Sequence, residues 1–379
     1  MSSRDFRLDR AKGVLIFMVV LGHILTAASA WEPDTLRVIQ VVIYSFHMPA
    51  FVFLAGITAK SNRLLSRTMF FLVLLATATP LYYGWMSLLG LDPDFDFLVP
   101  YWLTWFLMSM VWWMLSVPLI ERFPRAVLTV SITAGLIGGA FPLADYELSI
   151  SRTLVFWPFF VVGKVYGARI LRWAGSRSPR QSLALAAAAL TPTLLFYLYD
   201  VNKEWFYGSR HFDWFDVTVP EGLGMRAGVA VAAGLSTLAL LATIPNKNGY
   251  LATVGRHSLA VYLLHGFVVR LLDIPMGEYL DQTPAPVIAL LCLALAAVTT
   301  WLFTLTPFNA AIRSYGEGLT QMLLSPLKRL QASRRTRSAD QLRLEDRPEV
   351  QVQGHLGGSG QAEQTGRTGQ VEAQVKEYA

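Results

Sequence analysis

The chain has 379 residues, of which 54% are hydrophobic and only 15% are charged, and its net charge is +6. Soluble domains carry about 25% charged residues, so the composition excludes an ordinary soluble domain. The basic residues flank long apolar runs, and membrane topology therefore explains the positive charge better than nucleic-acid binding. The single cysteine, Cys292, excludes an internal disulfide framework.

Apolar runs long enough to cross a bilayer recur along the chain, since a transmembrane helix needs about 20 such residues. Ten runs are predicted to span, at 11–30, 36–58, 66–90, 100–120, 125–143, 150–171, 182–200, 224–244, 253–272 and 285–308. The run at 125–143 is the weakest, because it is short and rich in Gly. The sequence thus predicts an all-α, polytopic integral membrane protein of about ten transmembrane helices.

The loops between these runs alternate in charge. One side collects Arg4, Arg7, Arg10, Lys60, Arg63, Arg67, Arg122, Arg125, Arg169, Arg172, Arg177, Arg180, Lys247, Arg256, Lys328, Arg329, Arg334, Arg335 and Arg337. The other side is acidic and aromatic, with Lys203 and Arg210 as its few basic residues. Basic loops stay in the cytoplasm. Both termini are therefore predicted to be cytoplasmic, in a protein of the cell's inner membrane.

The C-terminal part of the chain changes in character. From about 332 it is rich in Gly, Gln, Ser, Arg and Glu and almost lacks large apolar residues. Such a segment buries too little surface to fold. The sequence predicts a transmembrane domain over 1–315 and a cytoplasmic tail over 316–379 that is disordered from about 332.

Three histidines lie inside predicted spans, where ionisable groups are costly and usually functional. His23 lies about 11 residues from Lys12, or roughly 16 Å along a helix. His47 lies about 11 residues from the cytoplasmic end of the second span, and His265 about 12 residues into the ninth. The three imidazoles are expected at one depth, as a buried polar site. The alternative is that each one bonds only a neighbouring helix.

Lys12 and His23 are nearly three turns apart and project within about 20° of each other. One helix face would then carry a cation at the cytoplasmic mouth and an imidazole at the midplane, which suits a ligand with an anionic head in the cytosol. Pro49 is expected to kink the second span, and broken helices at membrane depth usually line a cavity. The alternative for Lys12 is that it only fixes the membrane topology as a cytoplasmic basic residue. The same alternative holds for Lys60, Arg63 and Arg67, which follow Thr58.

Five stretches resemble the membrane-bound acyltransferase-3 family, and within it the branch similar to fucose 4-O-acetylases. They are LDRAKGVLIFMVVLGH (8–23), SFHMPAFVFLAG (45–56), TWFLMSMVWW (104–113), SISRTLVFWPFFVVGK (149–164) and RHSLAVYLLHG (256–266). The first is the most specific, because a basic residue followed eleven positions later by a histidine is the family's hallmark. The larger family usually has arginine where this chain has Lys12, and lysine offers only a point charge to a phosphate.

The resemblance implies an O-acyltransferase that moves an acetyl or other short acyl group from cytosolic acyl-CoA to a hydroxyl of a carbohydrate, a cell-envelope polysaccharide or glycolipid. His23 would be the central catalytic residue, either as general base or as acyl carrier. A base must be a neutral imidazole within reach of the hydroxyl, and burial favours that form. His47 would orient His23, polarise the thioester or hold the acceptor.

The remaining roles follow from the same resemblance. Lys12, Lys60, Arg63 and Arg67 would bind the phosphates of CoA, whereas Arg152, Trp105 and His265 would contact the acceptor. Neither a metal nor a nucleic acid is expected as a ligand. The lipid bilayer is the expected surrounding partner, and the sequence leaves the oligomeric state open. The residues alone also allow a proton-coupled transporter or flippase for a glycolipid, with the histidines as a relay, or a membrane scaffold for a polysaccharide-synthesis complex.

Overall fold

The computed structural model describes residues 5–29, 31, 35–91, 93–142, 145–272 and 283–345, with side chains up to 326. Within these ranges all regular structure is helical, which confirms the all-α prediction. The α-helices are α1 Arg7–Ala28, α2 Thr35–Tyr44, α3 His47–Thr58, α4 Leu64–Leu88, α5 Trp105–Arg122, α6 Pro124–Ile137, α7 Ile150–Gly175, α8 Pro179–Leu198, α9 Glu204–Tyr207, α10 Val219–Thr243, α11 Tyr250–Arg256, α12 Ser258–Leu271, α13 Ala285–Thr304 and α14 Thr306–Glu345.

The helices match the predicted runs. In the described part of the chain, eight helical segments are long and apolar enough to cross a membrane: Arg7–Ala28, Leu36–Thr58, Leu64–Leu88, Trp102–Arg122, Glu147–Gly175, Pro179–Leu198, Val219–Thr243 and Ala285–Thr304. Two shorter apolar helices, Pro124–Ala140 and Ser258–Leu271, lie at the other two predicted runs. The polytopic membrane architecture is therefore confirmed, while the count of ten and the side of the termini stay predictions.

The second predicted span is broken, between α2 and α3. Proline at position 49 lacks an N–H, and its ring clashes with the carbonyl four residues earlier, that of Ser45. The helix indeed stops at Tyr44 and resumes at His47, with Phe46 in a non-helical conformation (φ −145°, ψ −18°). The break frees backbone carbonyls in the middle of the span. It also places His47 in the first turn of a new helix.

Helix α1 lies at the centre of the bundle. It packs against α2, α3, α11, α12 and α13. Apolar side chains on several of its faces are buried, namely Leu15, Ile16, Val19, Val20 and Ile24. Because α1 is enclosed by helices, a polar side chain on it meets protein or an internal cavity rather than lipid.

Polar contacts join the helix ends at the end of the bundle where α1 begins. The ammonium of Lys164 lies 2.7 Å from a carboxylate oxygen of Glu121 and donates to the carbonyl of Ala59 (2.8 Å). Arg256 faces Asp9 at 3.9 Å. This end carries the loops that the charge pattern places in the cytoplasm.

The chain divides into two units, Met1–Ser325 and Pro326–Ala379. The first contains α1 to α13 and every side chain of the site described below. In the second, helical backbone is described to Glu345, which includes the predicted start of the disordered tail at about 332. Residues 346–379 lie outside the described part of the chain, and the disorder of the tail stays a prediction.

Candidate active site

Two of the three histidines are in direct contact. The Nδ1 atom of His23 lies 3.0 Å from the Nε2 atom of His265. Their ring planes are nearly parallel and meet edge to edge, with centroids 5.2 Å apart and an interplanar angle of 18°. His265 is fully buried, and its Nδ1 donates to the carbonyl of Val261 at 3.0 Å. His23 is half-buried, so it is the member of the pair that reaches open space.

The third histidine, His47, lies in the same cavity wall but outside hydrogen-bond distance of His23. Its Nδ1 donates to the carbonyl of Ile43 at 2.8 Å, near the end of α2. Its ring meets the edge of Tyr44, with centroids 5.2 Å apart. The last turn of α2 therefore fixes the His47 ring.

The cavity that His23 and His47 line has a volume of about 290 Å³. It is bounded by the last turns of α1 and α12, by the start of α7 and by the loop that contains α9. Besides the histidines it is lined by Val19, Thr26, Ala27, Tyr44, Met48, Trp102, Leu103, Trp105, Arg152, Phe156, Lys203, Glu204, Phe206, Tyr207, Tyr262, Val269 and Arg270. These helix ends belong to the side that the charge pattern places outside the cytoplasm.

Aromatic rings hold two arginines at the wall of this cavity. The guanidinium of Arg152 lies 5.1 Å from the ring centroid of Trp105 and 5.0 Å from that of Tyr146. The guanidinium of Arg270 lies 4.2 Å from the ring of Trp102. Cations over aromatic faces are stabilised electrostatically. The cavity therefore combines flat apolar surfaces with fixed positive charge.

Trp102 also packs on the histidine pair, because its ring centroid is 4.9 Å from that of His23. It has a φ of +32°, which non-glycine residues seldom adopt. Strained backbone persists where its surroundings hold it, often at functional sites. The support comes from α12, since the Tyr262 hydroxyl donates to the carbonyl of Leu103. Trp102 is thereby fixed relative to His265, which lies one turn further along α12.

Hydroxyl groups form a second polar edge of the cavity. Thr26 donates to the carbonyl of Gly22 (3.0 Å), and its oxygen lies 2.8 Å from the hydroxyl of Tyr44. Since the single proton of Thr26 is engaged, Tyr44 donates to Thr26. The ring of Tyr207 packs edge-on against that of Tyr44 at 5.1 Å. This edge offers hydroxyl oxygens to a polar ligand within reach of His47.

The predicted site residues separate into two groups. His23, His47, Trp105 and Arg152 line the cavity, and His265 lies directly behind His23. The four predicted phosphate-binding residues, Lys12, Lys60, Arg63 and Arg67, lie at the other end of the bundle and outside this cavity's lining. Lys60 and Arg63 are exposed there, and Arg67 and Lys12 are half-buried.

Sequence reasoning missed several residues of the cavity wall: Tyr44, Trp102, Glu204, Tyr262 and Arg270. One signal was present for Arg270. It lies at the outer end of a predicted span, where the positive-inside rule disfavours a basic residue. Such an arginine needs a local reason to be there, and here it faces the cavity beside His23.

The chain is similar in sequence to known acyltransferases and their relatives. A family model described as an acyltransferase domain of the acyltransferase-3 type matches residues 5–305. The nodulation protein NolL of Sinorhizobium fredii (strain NBRC 101917 / NGR234) is 25% identical over 317 residues, which cover 76% of this chain and 84% of the relative. The nodulation protein NolL of Mesorhizobium japonicum is 24% identical over 310 residues, which cover 74% of this chain and 81% of that relative.

No solved structure matches the chain, so the family rests on the sequence match. That match runs from the start of α1 to the end of α13 and contains every residue of the cavity. The chain is a membrane acyltransferase and belongs to the acyltransferase-3 family.

Proposed function

We propose that the protein is an acyl-CoA-dependent O-acyltransferase of the inner membrane. It moves an acetyl or other short acyl group from cytosolic acyl-CoA to a hydroxyl of a carbohydrate, a cell-envelope polysaccharide or glycolipid. The observation that carries the proposal is the position of His23. Its ring reaches a cavity with polar and aromatic walls, in a chain whose family transfers acyl groups.

His23 acts as the general base in this proposal. It takes the proton of the acceptor hydroxyl as the hydroxyl oxygen bonds to the thioester carbonyl carbon. The carbon–sulfur bond then breaks, and the proton passes from His23 to the thiolate of CoA. The enzyme is restored, and the products are an ester and free CoA. A positioned base of this kind contributes about 10²–10⁴-fold to the rate.

The cavity wall suits a carbohydrate acceptor. The rings of Trp102, Trp105 and Tyr207 offer flat faces on which the apolar face of a sugar ring can stack. Arg152 and Glu204 lie beside them, so donors and acceptors for sugar hydroxyls stand next to those faces. Because these residues come from the outer helix ends, the acceptor enters from outside the cytoplasm.

The donor approaches from the opposite end. Lys12, Lys60, Arg63 and Arg67 are among the cations of that end, and they hold the phosphates of CoA through charge-assisted contacts. Lys12 and His23 share helix α1, and eleven residues of helix separate them by about 16 Å. The pantetheine arm and its thioester cover this distance inside the bundle. The two substrates thus meet at His23 from opposite sides of the membrane.

The test is transfer of radiolabel from acetyl-CoA to sugar acceptors by the purified protein in lipid nanodiscs, together with mass spectrometry of envelope glycans from wild-type and deletion strains. His23→Ala is expected to lower transfer by at least ~10²-fold. The matched control is His211→Ala, since His211 lies outside the cavity lining. Wild-type transfer by the His23→Ala variant would defeat the mechanism, and glycans without any acyl difference would defeat the function.

A further inference from the structure

The hydrogen bonds around His265 have a fixed direction. A backbone carbonyl can only accept, so the proton between His265 and Val261 belongs to Nδ1 of His265. A neutral imidazole carries one N–H, and its other nitrogen is an acceptor. Nε2 of His265 is therefore the acceptor in the contact with His23, and Nδ1 of His23 is the donor at 3.0 Å.

These two hydrogen bonds leave one ring nitrogen of His23, Nε2, available to a substrate. With its only proton on Nδ1, the Nε2 atom of His23 carries a lone pair. His265 is fully buried and both of its nitrogens are engaged, so it has no atom left for a substrate. The Nδ1–H of His47 donates to the carbonyl of Ile43, and His47 does not set the tautomer of His23, because it lies outside hydrogen-bond distance of that ring.

We propose that His265 is a positioning residue that sets the tautomer of His23, with the carbonyl of Val261 as its anchor. The arrangement places a second imidazole where other nucleophile-activating systems place a carboxylate. His265 thereby takes one of the three alternative roles that the sequence had given to His47, that of orienting the base, and it does not contact the acceptor.

The contact with His265 is kept during the reaction. When Nε2 of His23 takes the hydroxyl proton, the ring becomes an imidazolium whose Nδ1–H still donates to Nε2 of His265 along the 3.0 Å bond. The positive charge stays on His23, because burial disfavours a cation on the fully buried His265. The imidazolium of His23 then gives its Nε2 proton to the departing thiolate. No proton is gained or lost by the pair over one turnover.

The first experiment reads the tautomer without measuring transfer, so it is independent of the proposed function. The full-length protein is labelled with ¹⁵N-histidine in nanodiscs, and its ¹⁵N spectrum is compared with that of His23→Gln to assign the His23 signals. A protonated Nδ1 and an unprotonated Nε2 on neutral His23 are expected. The opposite tautomer would overturn the inference even if acetyl transfer were normal.

The second experiment separates positioning from packing. His265→Leu removes the acceptor, whereas His265→Gln offers an amide oxygen at about the reach of the lost Nε2. The leucine variant is expected to lose ~10²–10⁴-fold in kcat with little change in KM for acetyl-CoA, because a base in the wrong tautomer loses activity of this order. The glutamine variant is expected to recover at least ~10-fold over leucine, since it keeps the Nδ1–H of His23 in place.

Equal losses in the leucine and glutamine variants would overturn the inference, because they would indicate a packing role alone. So would a leucine variant with wild-type kcat, or a loss confined to KM. If the wild-type protein transferred no acetyl group either, the proposed function would fail. The ¹⁵N measurement would still show whether His265 sets the tautomer of His23. Thermal unfolding of each variant in detergent shows that the compared proteins are folded.

Discussion

Arg152 is a cavity residue whose side chain is held by two aromatic rings. Its guanidinium lies over the rings of Trp105 and Tyr146, and a planar guanidinium suits such contacts better than an ammonium does. We expect Arg152→Lys to raise KM for the acceptor by about 10-fold, since a cation–π contact contributes about 0.5–2 kcal/mol. KM for acetyl-CoA should stay the same. Steady-state kinetics with each substrate varied in turn measures both values.

The complementary variant lies at the other end of α1. Lys12→Ala should raise KM for acetyl-CoA and leave that for the acceptor unchanged, because Lys12 is outside the cavity lining. Together the two variants form a crossed control. A change in the same KM for both would contradict the assignment of one substrate to each end of the bundle.

At the scale of single residues, the sequence predicted the depth of the three histidines but not their partners. Spacing placed His23, His47 and His265 at one depth, and the structure puts His265 against His23 and His47 in the lining of the same cavity as His23. Depth follows from residue counting at a fixed rise per residue. The direction in which each ring points depends on how the helices are rotated against one another, and a single sequence does not contain that information.

The α3–α7 crossing is the element that positions His47. Gly56 and Gly163 face each other there, and a Cβ atom on Gly163 would overlap the backbone of Phe53, while one on Gly56 would overlap that of Phe160. Small residues allow such close helix approach in membranes. We expect Gly163→Ala to destabilise the protein by about 1–3 kcal/mol, as overpacking does, and to lower activity by displacing His47. Thermal unfolding in detergent and the transfer assay measure the two effects.

Gly84→Ala in α4 is the matched control for this crossing. A Cβ atom at Gly84 meets nothing within 4 Å, so the substitution adds the same methyl group without a clash. Alanine also favours helix over glycine by up to about 1 kcal/mol, and stability should be unchanged or slightly higher. An equal loss at both positions would show that the close crossing of α3 and α7 is not the cause.

Helix breaks were predicted where the sequence carries a chemical reason for them. Pro49 lies inside the second span and predicted its kink, and the structure ends α2 at Tyr44. The ninth predicted span has no proline, yet it is divided into α11 and α12 at His257. Nδ1 of His257 donates to the carbonyl of Thr304 at the end of α13. That partner is 47 residues away along the chain, so local sequence gave no sign of the break.

At the scale of the whole molecule, two groups of cationic side chains lie at opposite ends of the bundle. The predicted phosphate-binding residues lie at one end, whereas Arg152, Lys203 and Arg270 line the cavity at the other end. The positive-inside rule orients the first group toward the cytoplasm. Acyl-CoA can meet Lys12 only if this end of the bundle faces the cytoplasm, as in the predicted orientation with both termini inside. A measurement of the topology is therefore a test of the proposed function.

We predict that single cysteines will reveal this orientation. In a Cys292→Ser background, Asp213→Cys should react with a membrane-impermeant maleimide on intact cells, because Asp213 is exposed in the loop after α9. Ser61→Cys, exposed between α3 and α4, should react only after the membrane is permeabilised. Mass shifts on gels measure the labelling. The reverse pattern would place the cavity in the cytoplasm and would exclude the proposed routes of both substrates.

The same Cys292→Ser background decides whether the weakest predicted span, 125–143, crosses the membrane. Helix α6 belongs to the apolar segment Pro124–Ala140, which is shorter than the other described spans except Ser258–Leu271. Arg122 and Glu147 are exposed on either side of it. If α6 crosses, Glu147→Cys should be labelled on intact cells and Arg122→Cys only after permeabilisation. Labelling of both cysteines from the same side of the membrane would show that α6 does not cross. Every loop after α6 would then lie on the opposite side from the one predicted, and Arg152 would no longer face the side from which the acceptor enters.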